Sequence, residues 1–438
     1  MNTNEKYNLA DLVIQHALKS GAEQVSVNIY ENRSNIIEIR DQKIDSLKES
    51  NQSALSISLY VDKKYSAHST NRMNKEELFR FVDEAIVATR FLAVDEFRSL
   101  PDPEFYYKGG GSDLITFDPK LDSVDAKAKI DLANQALNEA YKKDDRIISV
   151  TSNYSDSNTN SVMVTSNGFK GETAKTSVSL NVFVSLKTTT GRPNDYWMER
   201  ALFFDKLKTT DIGKKALERT INKIDPKKII SGKYHVIVEN LVAANLLIPV
   251  FGALQGSSIY QKQSFLIGKE NKPVASPLLT AYDDPSILSG FGSRLFDDEG
   301  LAAVKRPIID GGVLKNYYID NYYGRKLGMK PTSGSNSNVV FNTGTRGMKE
   351  MIGSMDKGVL ITGFIGGNCN GSTGDFSYGI EGFFIQDGKI IHPVNEMNIT
   401  GNMNQFWFNL AEMGKDIMEN SFLKTPSMLF KNIDLSGI

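Results

Sequence analysis

Residues 54–61, Ala54-Leu-Ser-Ile-Ser-Leu-Tyr-Val61, place Leu55, Ile57, Leu59 and Val61 at every second position. A period of two sets one side of the chain against a core and the other toward water, so this stretch predicts a strand in a half-buried antiparallel sheet. Upstream, residues 24–30 and 35–39 give two more strand-like runs. Ahead of them Leu9, Leu12, Val13, His16 and Ala17 recur at helical spacing, and Gly21 ends that helix. After residue 61 a second helix is expected from Asn74 or Lys75 to about Asp95, with Glu76 and Glu77 suited to the positive end of its dipole. Helices flanking a sheet with one apolar face predict an α+β layer.

The pattern then repeats. Two prolines in Leu100-Pro-Asp-Pro103 and the triplet Gly109-Gly-Gly111 mark a linker. Beyond it a helix is expected over residues 123–143, capped by Ser123, with Asp125 early and Lys142 and Lys143 late. Strands over 147–154, 161–169 and 173–186 and a helix over 210–222 follow. Residues 224–228 read as a bridge, because composition changes there: residues 1–228 hold 8 of the 35 glycines and the remainder hold 27. Glycine favours turns, bulges and close backbone approach. The expected organisation is an N-terminal α+β domain over 1–228, with helix-covered antiparallel sheets in subdomains of about 1–108 and 112–228, then a glycine-rich, β-rich domain over 229–438. The longest apolar run, residues 236–254, is broken by Glu239, Asn240, Asn245 and Pro249. It predicts a strand entering a buried helix, not a membrane span.

Composition narrows the function. Lys plus Arg is 51 against Asp plus Glu at 52, a net charge of -1, so no bulk attraction to nucleic acid or anionic membrane is expected. The single cysteine, Cys369, cannot form an intramolecular disulfide. The N-terminus has no basic segment leading into an apolar core, which points to the cytoplasm.

No H-E-x-x-H, C-x-x-C or G-x-S-x-G occurs. His16, His68, His235 and His392 belong to no local metal motif, and His16 reads as a satisfied core histidine. The loop over 363–374 (GFIGGNCNGSTG) lacks the lysine of a phosphate loop and reads as a tight turn between strands. The carboxylates of Asp283-Asp284-Pro285 and Asp297-Asp298-Glu299 suit turn and cap duty. Cys369 with His392 would make a hydrolytic pair only if folding brought them together; a buried or incidental cysteine is the simpler expectation. Aromatic residues crowd the second half and are expected mainly in the core, a minority lining a peptide groove.

Taken together, Ala281-Tyr-Asp-Asp-Pro285, Gly292-Ser-Arg-Leu-Phe-Asp-Asp-Glu-Gly300, Gly311-Gly-Val-Leu314, Gly324-Arg-Lys-Leu-Gly-Met329, Thr373-Gly-Asp-Phe-Ser377 and Ile399-Thr-Gly-Asn402 resemble the TldD/PmbA family in order and spacing. Arg40-Asp-Gln-Lys43 and Leu100-Pro-Asp-Pro103 extend the resemblance over nearly the whole chain. The family's TldD-like branch comprises metallopeptidases with H-E-x-x-x-H on a helix and a cysteine near the C-terminus. The TldE/PmbA-like branch lacks those ligands and pairs with TldD. The resemblance puts the motif on residues 247–252, where Leu247, Ile248 and Gly252 replace histidine, glutamate and histidine, and Pro249 lies inside the helix. The last 20 residues contain no cysteine.

The resemblance therefore implies a TldE/PmbA-like subunit without catalytic residue, metal or cofactor of its own. Its expected partners are a TldD-like metallopeptidase and unfolded peptides. A homodimeric peptide-binding protein and a metal-independent hydrolase using Cys369 are the alternatives. Groove residues implied by the family motifs are Asp375, Ser377, Tyr378 and Asn402. Tyr378 occupies a position where the branch carries arginine, which removes a bidentate carboxylate partner. The family's label, modulator of DNA gyrase, gains no support from the charge balance as direct DNA binding.

Overall fold

The computed structural model describes residues 1–189 and 191–437. Six strands open the chain's β structure: β1 Gln24–Arg40, β2 Lys43–Val61, β3 Lys64–Thr70, β4 Ile147–Thr165, β5 Lys170–Leu186 and β6 Asn194–Ala201. They form one antiparallel sheet in the order β3-β2-β1-β4-β5-β6. The runs expected separately over 24–30 and 35–39 are thus a single strand, as are those over 147–154 and 161–169, and both groups of strands share one sheet.

The apolar alternation lapses mid-strand because the sheet passes there from one helix pair to the next. Helices α1 Thr3–Lys19 and α2 Lys75–Thr89 cover Val25, Val27, Ile29 and Leu55. Helices α3 Ala126–Asn138 and α4 Ile212–Asn222 cover Ile37, Ile39, Val150 and Leu180. In the seam Lys6 pairs with Glu31 at 2.7 Å, Lys129 with Asp156 at 2.6 Å, and Asn35 donates to Asp156 at 2.8 Å. Burial of polar groups is tolerated there because each has a partner.

Helix α4 begins at Ile212, two residues later than expected, and α2 and α3 differ more. Helix α2 stops at Thr89 rather than near Asp95, whose N–H bonds the Lys63 carbonyl at 3.0 Å and draws the chain back to the sheet. Asp125, not Ser123, caps α3; Ser123 closes a preceding 3₁₀ turn, and the helix ends at Asn138. His16 is half-buried at the edge of its helix face, stacked on Phe79 at 3.9 Å and bonded to Asp83 at 2.9 Å.

The glycine-rich half supplies β7 Gly232–Val238, β8 Ala281–Asp284, β9 Arg306–Asp310, β10 Val313–Leu314, β11 Asn338–Phe341, β12 Lys357–Cys369, β13 Asp375–Gln386, β14 Lys389–Asn402, β15 Leu410–Met413, β16 Leu423–Lys424 and β17 Met428–Ser436. One sheet runs β10-β9-β8-β11-β16; the other runs β14-β13-β12-β7-β17-β15. Strand β14 also pairs with β17, so β14, β13, β12, β7 and β17 close on themselves. Helix α5 Ala244–Ala253 follows β7 directly and buries Leu246, Leu247 and Val250 in the shared core. Short helices α6 Gly256–Tyr260, α7 Asn321–Leu327, α8 Met348–Gly353 and α9 Met403–Phe406 complete an α+β fold.

Polar clamps join the first sheet to the glycine-rich half. Arg219 of α4 grips Glu239 through both carboxylate oxygens, at 2.9 and 3.1 Å, and also reaches Asp195 at 3.1 Å. Lys223 bridges Asp195 and Glu381 at 3.0 and 2.7 Å. At the other end Arg98 lies between the rings of Tyr65 and Tyr322, 4.5 and 3.5 Å from their centroids. Glu299 sits beside that contact and accepts from the Asn321 N–H at 2.8 Å.

Burial, helped by the nearby Asp297 and Asp320, pushes the Glu299 carboxyl up to about 7. The folded chain then holds a proton that the unfolded chain has released, so this group's contribution to stability falls as pH rises from its ordinary 4.5 to about 7. Glu299→Gln should melt near the wild type at pH 5 and above it at pH 8. A difference in melting temperature that stays constant across this range would refute the assignment.

Candidate functional site

Helix α5 and strand β12 face each other across an open cleft of about 540 Å³. The helix contributes Asn245, Ile248, Pro249 and Gly252, which share one face at spacings of three and four. Proline has no N–H to donate, so the Asn245 carbonyl loses its helical partner on that same face. Ser258 and Gln263 enter from the segment that follows α5.

The opposite wall is a strand presented edge-on. Gly366, Gly367, Asn368 and Cys369 line the cleft consecutively, which side chains alternating across a sheet could not do by themselves. Strand β7 pairs with β12 only from Gly358 to Ile361, and β13 occupies the other side of β12 from Lys357 to Cys369. Among the described residues, the edge of β12 beyond Thr362 therefore has no ladder partner toward α5. Its register slips at Ile361/Gly363 and again at Phe364/Gly366. Gly366 and Gly367 take φ of 143° and 108°, and a Cβ on Gly367 would lie 2.1 Å from the Ser377 carbonyl oxygen. Only glycine fits the second position without moving the strand.

No lining residue carries a charge at neutral pH. Burial, followed by the field of Asp375, raises the Cys369 thiol, and burial pushes the Tyr378 phenol up to about 12. A catalytic zinc or iron site requires about three imidazole, carboxylate or thiolate donors around one point. The cleft offers one protonated thiol plus amides and hydroxyls, and among the described residues no three His, Cys, Asp or Glu side chains converge. This donor set does not fit a catalytic metal.

The structure separates several residues that the sequence grouped. Ile248 and Gly252 line the cleft, whereas Leu247 is buried in the core and lines an apolar pocket behind α5. Of the groove candidates, only Tyr378 reaches the cleft. Asp375 and Ser377 alternate with buried Phe376 and with Tyr378 along β13, so they point to the opposite face. Asn402 donates to Asp375 at 2.7 Å and to the Thr373 carbonyl at 2.9 Å, bracing the turn between β12 and β13. That turn is the tight connection expected over 363–374, shortened because β12 continues to Cys369.

Cys369 pairs in register with Phe376 and His392 with Phe384. Eight residues of strand separate those positions, roughly 26 Å, so the Cys369–His392 pair is not assembled. Among the expected carboxylate turns, Asp284 accepts from the Ser286 N–H at 3.0 Å and Asp297 from those of Glu299 and Leu301 at 3.0 Å. Sequence reading missed Asn245, Ser258 and Gln263. The first was recoverable, since 245, 248, 249 and 252 form the face left over once Leu246, Leu247, Val250 and Ala253 are assigned to the core.

Comparison with known proteins agrees with this architecture. Residues 25–89, 119–224 and 231–437 match domain 1, the central domain and the C-terminal domain of the PmbA/TldA metallopeptidases. The chain is 28% identical to the metalloprotease PmbA homolog of Haemophilus influenzae, over 97% of this chain and 94% of that one. It is also 28% identical to metalloprotease PmbA of Escherichia coli O157:H7, over 92% and 89%. A crystal structure from Bacteroides thetaiotaomicron, described as a modulator of DNA gyrase, superimposes with a TM-score of 0.98 at 44% identity, covering 100% of both chains. TldE from Thermococcus kodakarensis has the same fold, with a TM-score of 0.86 at 19% identity over 98% of this chain and 100% of that one. Domain order and full-length similarity lead to one assignment: the chain belongs to the TldD/PmbA family.

Proposed function

We propose that this chain is a TldE/PmbA-type subunit that takes part in proteolysis without cutting peptide bonds itself. The observation that carries the reading is the cleft beside α5. It lies where the resemblance puts the metal motif, yet it is neutral and bordered by an unpaired strand edge. Such an edge offers N–H and C=O groups to an extended chain, the recognition mode called strand addition, and glycine at 366 and 367 admits the incoming backbone. An unfolded peptide would satisfy it, and the catalytic metal would come from a TldD-like metallopeptidase bound alongside, in the cytoplasm.

The reading predicts that Gly367→Ala weakens binding of an extended, uncharged peptide by about tenfold, because the new Cβ displaces β12 from β13 and spoils the edge. Calorimetry with an N-acetylated, C-amidated decapeptide of glycine, serine and valine measures this. An affinity unchanged by the substitution would remove the β12 edge from the binding site.

A further inference from the structure

The first sheet is covered by helices on one face only. On its other face, between β4 and β5, lies a field of hydroxyl side chains that bond across strands: Ser155 to Ser179 at 2.8 Å, Ser157 to Ser177 at 2.9 Å and Ser161 to Thr173 at 2.8 Å. Within this field lie two cations. Lys175 is between Thr173 and Ser177 on β5, and Arg200 is opposite Ser179 on β6.

Neither cation has an ion-pair partner among the described residues. The Lys175 ammonium donates to a neutral acceptor, the Phe291 carbonyl. The Arg200 guanidinium rests 5.2 Å from the centre of the Phe291 ring, with none of its N–H groups donated to a protein acceptor among the described residues. A third cation, the Arg294 guanidinium, adds to the field but has its own partners in Ser333, Ser335 and Ser337 at 3.2, 2.6 and 3.0 Å. Burial, then Arg200 and Arg294, lowers the Lys175 pKa. Like charges held together at a half-buried position repel, and the arrangement is relieved by an anion between them. The surrounding hydroxyls can donate to the same anion.

We infer that Lys175 and Arg200, beside Phe291, form a carboxylate-binding subsite on the helix-free face of the first sheet, resting on the peptide-handling reading above and adding to it a preference for chains that carry a carboxylate. A C-terminal carboxylate and an Asp or Glu side chain share this chemistry. Guanidinium and ammonium donors strengthen a hydrogen bond to either one.

The test uses the full chain and three N-acetylated decapeptides of glycine, serine and valine: one with a free C-terminus, one amidated, and one amidated with a central glutamate. At low salt at least one carboxylate form should bind about tenfold more tightly than the neutral amide. Which form gains identifies the source of the carboxylate. The gain should vanish in Arg200→Gln and in Lys175→Met, and Arg200→Lys should keep part of it, with melting temperatures close to the wild type. Equal affinity for all three peptides, or a preference surviving in both neutral variants, overturns the subsite while leaving peptide binding intact. Failure of every peptide to bind overturns both readings. If a variant unfolds, salt decides: a carboxylate preference in the wild type that persists undiminished at high salt contradicts an ionic subsite.

Discussion

Arg219→Ala should destabilise the folded chain by about 3–5 kcal/mol, because removing one member of a buried ionic cluster leaves the others uncompensated. Arg219 is bidentate to Glu239 and also holds Asp195, and the carboxylate side chains are 8% and 7% exposed. Burial alone would make the guanidinium easier to deprotonate, but the two carboxylates more than offset this and raise its pKa. Deletion strands Glu239, whereas Asp195 keeps Lys223 at 3.0 Å. The double variant Arg219→Met with Glu239→Gln should therefore recover part of the loss. Urea denaturation of the three proteins measures it, and a single-variant loss under about 1 kcal/mol would place the pair with ordinary surface ion pairs.

The second large effect is expected at Phe430. It is fully buried on β17, 4.4 Å from the ring centre of Phe406 and 5.6 Å from that of Trp407. Truncation to alanine empties the centre of the closed sheet and should cost about 3–5 kcal/mol. Its position adds a local consequence. Phe406 ends α9, which Asn402 caps, and Asn402 braces the turn at the end of β12. Phe430→Ala should loosen that turn, read as faster amide exchange at residues 370–374 relative to β1 and β2. Exchange unchanged there, despite lower stability, would show that the turn is held independently.

Elements set by local pattern were legible in the sequence. The alternation at residues 54–61 lies within β2, the spacing through Ala17 within α1, and the broken apolar run over 236–254 spans β7 and α5. The joining of six strands into one sheet was hidden, because the polar seam of Glu31, Asn35 and Asp156 depends on Lys6 and Lys129 reaching it from separate helices. Glycine density marked the half that carries the cleft. The free edge of β12 had no local signature, since it exists only because β7, more than 100 residues earlier, stops at Val238. Likewise Asp375 and Asn402 stood out as motif residues, yet they hold a turn instead of facing the cleft.

As a TldE/PmbA-type subunit, the chain is proposed to work on peptides through a metal that another subunit supplies. The direct measurement is peptidase activity of a TldD-type metallopeptidase from the same source, alone and mixed with this chain, on an unstructured peptide. The expected result is no activity from this chain alone with or without added zinc, co-elution of the two in gel filtration, and activity of the mixture well above that of the metallopeptidase, abolished by chelator. Separate elution with unchanged activity, or chelator-sensitive cleavage by this chain alone, would contradict it.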